Sequence, residues 1–105
     1  MVDETTKKTA MKYAVAYKDI YLKEGPEAYG NRIRQDYEYG FINHAESFVA
    51  QRLSDIYLAI AEGRLSRNEG RNNQNALFDA IEIEDDEVVR CDYAITSHNT
   101  SNEAA

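Results

Sequence analysis

From Ile42 to Ile60 the apolar residues fall three and four apart: Ile42, Ala45, Val49, Leu53, Ile56 and Ile60. That period traces one stripe along an α-helix and is incompatible with the two-residue alternation of a strand. Phe48, Tyr57 and Ala59 flank the stripe, whereas Asn43, Ser47, Gln51, Ser54 and Asp55 lie away from it. Gly63, just past the last apolar residues, reads as the stop. Upstream, Glu24-Gly25-Pro26 closes one helix and opens the next, because Gly suits the position after a helix and Pro suits a first turn. Tyr29, Ile33, Tyr37 and Phe41 then repeat every four residues, and Gly40 either bends this second helix or divides it. The expected fold class is mainly α: a small helical domain with a long amphipathic second helix.

The first helix is expected from about Lys7 to Lys23, with Asp3, Thr5 or Thr6 as its N-cap. Ala10, Tyr13, Ala14, Tyr17, Ile20 and Tyr21 form one apolar arc, and Met11, Val15 and Leu22 form a second beside it. A face this wide exceeds what one neighbour covers, so the helix packs on two elements or on one element and a partner chain. Tyr13, Tyr17 and Tyr21 make a ladder at four-residue spacing. Such a ladder suits a dimer or partner face, or base stacking, but packing against helix two is the expected use.

Residues 64–75 are polar and rich in Asn, and read as a connector. Ser66 and Glu69 fit a capping box, which predicts a helical turn inside it. A short helix from about Gln74 to Ala80 would bury Leu77, Phe78 and Ile81. Beyond it, Ile81–Glu84 alternates, and so does Val89–Ile95, with Asp85-Asp86 as a turn between them. A C-terminal β-hairpin is therefore expected, and all-α is the alternative, since Leu77, Ile81, Val88, Cys91 and Ile95 also cluster on a helical wheel. The domain is expected to span 1–96, followed by a mobile polar tail, 97–105.

Charge supplies the functional hint. Residues 1–75 hold 11 Lys+Arg and 11 Asp+Glu, whereas residues 76–105 hold Arg90 against eight acids, so the whole net charge of −7 belongs to the last third. Glu82, Glu84, Asp85, Asp86, Glu87 and Asp92 are the candidate partner-binding residues. Carboxylates alternating along a hairpin offer charge at a pitch of several ångströms, similar to that of nucleic-acid phosphates. The expected partner is a protein with a basic, nucleic-acid-binding surface, with no direct nucleic-acid contact. In size and composition, and in no motif, the chain resembles small inhibitors encoded by phages and mobile elements. Two alternatives stand beside this reading. One is a helical homodimeric adaptor built on Tyr13, Tyr17 and Tyr21. The other is a nucleic-acid binder using Arg64, Arg67 and Arg71, although the plainer role of those arginines is pairing with the acidic third.

Catalysis is not expected. G-x-S-x-G, H-E-x-x-H, C-x-x-C and phosphate-cradling glycine loops are absent, and D-x-D-x-D-G spacing for calcium is absent too. No metal or cofactor is expected. His44 and His98 lie far apart, and Cys91 reads as a small buried hydrophobe. The mean hydropathy of −0.66 predicts no membrane span. The charged start, MVDETTKK, does not resemble a signal peptide, so a cytoplasmic location and a reduced Cys91 are expected.

Overall fold

The Asp3 carboxylate accepts the Thr6 amide at 2.7 Å and starts α1 (Glu4–Glu24), three residues earlier than the expected start at Lys7. The computed structural model describes residues 2–95, and the expected 97–105 tail and His98 lie outside them. Gly25, at φ +94°, ends α1, and its amide returns to the Tyr21 carbonyl at 3.0 Å. Pro26 then opens α2 (Pro26–Glu38).

The long second helix is two helices, because Gly40 divides it. Gly40 sits at φ +78°, which disfavours any side chain there. Its amide bonds the Tyr37 carbonyl at 3.1 Å and the Phe41 amide bonds the Asp36 carbonyl at 2.9 Å, the paired closure of a left-handed glycine cap. The chain restarts at Asn43, whose side chain accepts the Glu46 amide while the Glu46 carboxylate accepts the Asn43 amide, each at 2.8 Å. That capping box begins α3 (His44–Ala61), the stripe-bearing helix. Gly63, also at φ +78°, closes it in the same way, with Gly63 and Arg64 amides bonded to the Ile60 and Ala59 carbonyls.

The polar connector is mostly helix. Ser66 and Glu69 form the expected capping box, but the helix they begin runs unbroken as α4 (Arg67–Ala80) and absorbs the short helix placed at 74–80. Its inward face is made by Gly70, Asn73, Leu77 and Phe78, too few apolar residues to betray a period. β1 (Ile81–Glu84) and β2 (Glu87–Cys91) then pair antiparallel as the hairpin, so the all-α alternative fails. The second strand begins at Glu87 rather than Val89. Ile83 faces Val88 and Glu82 faces Arg90, which leaves Val89 as an extra, bulged residue, 52% exposed.

The most extensive packing joins α1 to α3. Ala10 and Ala14, both fully buried, let the two helices approach closely around Val49, Leu53 and Ile56. Burying a side chain such as Leu53 contributes roughly 1.5–3 kcal/mol. Leu65, Leu77, Phe78 and Ile81 close the core from the C-terminal side. The molecule is a slab of 46 × 32 × 18 Å, and none of its described helices is long and apolar enough to cross a membrane.

The tyrosine ladder largely turns inward. Tyr17 is wholly buried, which removes it from any partner face, while Tyr13 and Tyr21 are half-buried. Tyr17 and Tyr21 meet Tyr29 of α2 edge to face, at 6.3 and 5.4 Å between ring centroids. The Tyr17 hydroxyl donates to Asp36 at 2.8 Å, and Arg32 donates to both Asp36 oxygens at 3.1 and 3.2 Å. Asp36 is only 3% exposed, and its backbone carbonyl is the one that caps α2. Burial, then the Asp36 carboxylate, pushes the Tyr17 phenol far above its ordinary range.

Candidate partner-binding site

Two residues build the acidic tip. Asp85 and Asp86 join the strands with φ of +52° and +63°, the signature of the hairpin turn that matches strand twist. Asp tolerates this left-handed region better than most residues, although Asn-Gly suits it best. The turn places Glu84 opposite Glu87, and all four carboxylates of residues 84–87 are exposed. None of the four forms an ion pair among the described residues.

The six predicted acids therefore divide into two groups. Glu82 and Asp92 sit at the hairpin's base around Arg90, at 3.8 and 2.7 Å. Their charge is partly offset there. Glu84, Asp85, Asp86 and Glu87 gather at the tip without an offset. Arg64 pairs with Glu62 at 2.7 Å and not with the acidic third, and no described ion pair links the 64–71 arginines to the hairpin.

The tip is anchored. The Asp86 carbonyl accepts the Ala45 amide at 2.9 Å, satisfying one of the orphan donors in the first turn of α3. The positive end of that helix favours acidic groups beside it. At the other end of the hairpin, the Asp92 amide bonds the Ala80 carbonyl at 3.2 Å, and Tyr93 donates to Asn73 on α4. Burial pushes the Tyr93 phenol up to about 12.

The same corner carries exposed aromatics. Tyr39 is 68% exposed and Phe41 63%, and their rings meet edge to face at 6.1 Å. Tyr37, 49% exposed, stands beside His44 with centroids 6.4 Å apart. Phe41 is four residues from Ala45, so chain reach holds it within about 15 Å of the residue that anchors the tip. Sequence reasoning assigned Tyr37 and Phe41 to a helical face and left Tyr39 out. The available signal was the run Tyr37-Glu38-Tyr39-Gly40-Phe41, in which aromatics two apart straddle a glycine. That arrangement suits an exposed turn.

The described residues hold no group of three or more His, Cys, Asp or Glu side chains placed to bind a metal ion. Cys91 is half-buried against the core rather than poised on a surface. No protein-family model, no characterised protein and no solved structure matches the chain.

Proposed function

We propose that the chain is a non-enzymatic docking protein whose acidic hairpin tip occupies a basic surface of a protein partner, one that otherwise holds nucleic-acid phosphates. One observation carries the reading: Glu84, Asp85, Asp86 and Glu87 share a single turn, unpaired among the described residues, and that turn is bonded to the start of α3. A mounted cluster loses less freedom on binding than a floppy acidic loop would, so more of its Coulombic attraction survives as affinity. Glu84 and Glu87 are cross-strand partners, whose Cβ atoms stand about 5 Å apart, so their carboxylates can converge on one phosphate-binding Lys or Arg. Tyr39 and Phe41, exposed on the turn just before α3, offer stacking faces to guanidinium groups of the same partner. On this reading the chain inhibits a nucleic-acid enzyme in the cytoplasm by excluding its substrate.

The test captures partners on the native chain and on a Glu84→Gln, Asp85→Asn, Asp86→Asn, Glu87→Gln variant, at low and high salt. A captured protein is then challenged with duplex DNA and with RNA. The expected result is a partner released by salt, displaced by nucleic acid, and weakened at least about tenfold, or ~1.4 kcal/mol, by neutralisation. Capture that survives both neutralisation and salt would sink the proposal.

A further inference from the structure

The second apolar arc of α1 has no cover among the described residues. Met11, Val15 and Leu22 are 37%, 46% and 51% exposed. With Lys7 and Lys18 they follow at steps of four, four, three and four residues, a single helical face. That face borders a groove. Val15 and Lys18 line one side of a cleft of about 340 Å³ whose other lining residues, Tyr57, Ile60 and Ala61, belong to the end of α3.

Helix α4 adjoins the Tyr57 side of the cleft without lining it. The Tyr57 hydroxyl donates to Gln74 at 2.9 Å, and the Lys7 ammonium sits 5.2 Å from the centroid of the Phe78 ring. The flank of α4 bearing Gln74 and Phe78 is therefore the one turned towards α1. Arg67 and Arg71 lie seven and three residues before Gln74, on the same flank. Both are exposed, and neither has an ion-pair partner among the described residues. Among the described residues Lys18 is engaged by its neighbour Asp19 alone, at 3.1 Å, a surface pair of little strength. An acidic protein thus carries an apolar groove with cationic rims.

We propose that this groove is a docking site for an amphipathic α-helix of a protein partner. The partner's apolar stripe lies on Val15, Tyr57 and Ile60, and its flanking Asp and Glu side chains pair with Lys18, Arg67 and Arg71. Met11 to Leu22 spans about 16 Å, three helical turns, which matches a stripe of apolar anchors at i, i+4, i+7 and i+11. Charge selects this occupant over the others. A second copy related by a two-fold axis would set Lys18, Arg67 and Arg71 against themselves. A nucleic-acid strand could meet the rim cations with its phosphates, but it has no apolar side chains to cover the floor made by Val15, Tyr57 and Ile60. The groove shares no residue with the acidic hairpin, so its occupant binds whether or not the hairpin reading holds.

The test selects helical peptides from a randomised display library against the full-length chain. Counter-selection uses a Val15→Asp, Arg67→Glu, Arg71→Glu variant, whose melting temperature is compared with the native one. All three positions are exposed, so the variant is expected to stay folded. Enriched peptides are expected to carry Leu, Ile, Met or Phe at helical spacing with Asp or Glu beside them. They are expected to bind the variant at least about tenfold more weakly. A Glu→Lys version of the best peptide should reverse that preference. Enriched sequences without acidic flanks, or equal binding to native chain and variant, would overturn the proposal. A native dimer in sedimentation that the variant dissolves would also overturn it, by assigning the groove to a second copy.

Discussion

Replacing Tyr17 with Phe deletes one oxygen from the centre of the molecule and leaves the ring where it is. The ring's packing against Tyr13 and Tyr29, at 6.0 and 6.3 Å, does not involve the hydroxyl. What is lost is the 2.8 Å bond to an Asp36 carboxylate that is 3% exposed. A hydrogen bond to a charged group contributes about 1.5–3 kcal/mol, and Arg32 remains to solvate both oxygens, so a cost of roughly 2 kcal/mol is expected. In a domain of this size that corresponds to a fall of roughly 8–16 °C in melting temperature. Asp36→Ala should cost at least as much, because it strands the buried hydroxyl and frees Arg32. Combining Tyr17→Phe with Asp36→Ala should then cost less than the two single changes added together, since neither member of the pair is left without the other. Urea unfolding followed by far-ultraviolet circular dichroism measures all of these. A Tyr17→Phe loss below about 0.5 kcal/mol, or strictly additive single changes, would refute the idea that this pair locks α1 to the α2–α3 corner.

Asp86→Gly should raise the melting temperature, since φ of +63° costs a non-glycine residue about 1 kcal/mol and the Ala45 bond uses only the backbone carbonyl; lower stability would show that the Asp86 side chain itself supports the start of α3. Asp55 is a half-buried carboxyl whose affinity for its proton is raised by burial against the opposing pull of Arg52 and Arg64. A raised folded value means stability present at low pH and lost as pH rises above the ordinary carboxylate range. Asp55→Asn should therefore stabilise the fold near neutrality, and paired melts should show the gap closing towards pH 3. Burial also raises the phenols of Tyr17, Tyr29, Tyr57 and Tyr93, so stability should decline as pH climbs beyond about 10, measured as an alkaline unfolding limb. Tyr39→Ser with Phe41→Ser should move stability by less than about 0.5 kcal/mol while weakening the hairpin's partner, checked by melting and by capture side by side.

Helix α3 was legible because Val49, Leu53 and Ile56 carry its stripe, although Ser47 and Ser54, read as lying away from it, are buried as well; the turns were legible because Gly25, Gly63, Ser66 and Asp85-Asp86 carry their own backbone chemistry. Helix α4 was not, since Gly70 and Asn73 occupy half of its inner face. A Cβ at Gly70 would press on the Ile60 side chain, which would have to shift to admit it. Asp36 was invisible for a different reason. A carboxylate on a polar helix reads as solvent-facing until its tyrosine partner, 19 residues away in the chain, is brought against it. The acidic set was identified from composition. Its division into an offset base and a bare tip depends on where Arg90 falls in the strand register, and the Val89 bulge sets that register.

The bond from Ala45 to the Asp86 carbonyl gives the molecule a reporter. Ordinarily the amides in a helix's first turn exchange their hydrogens freely with solvent, yet this one is held by a strand turn from the far end of the sequence. Its exchange rate counts how often the tip lifts from the helix. A ligand gripping the carboxylates from outside would lengthen the closed intervals without touching Ala45, so deuterium uptake at a single alanine would register occupancy of a surface to which it contributes nothing but a proton.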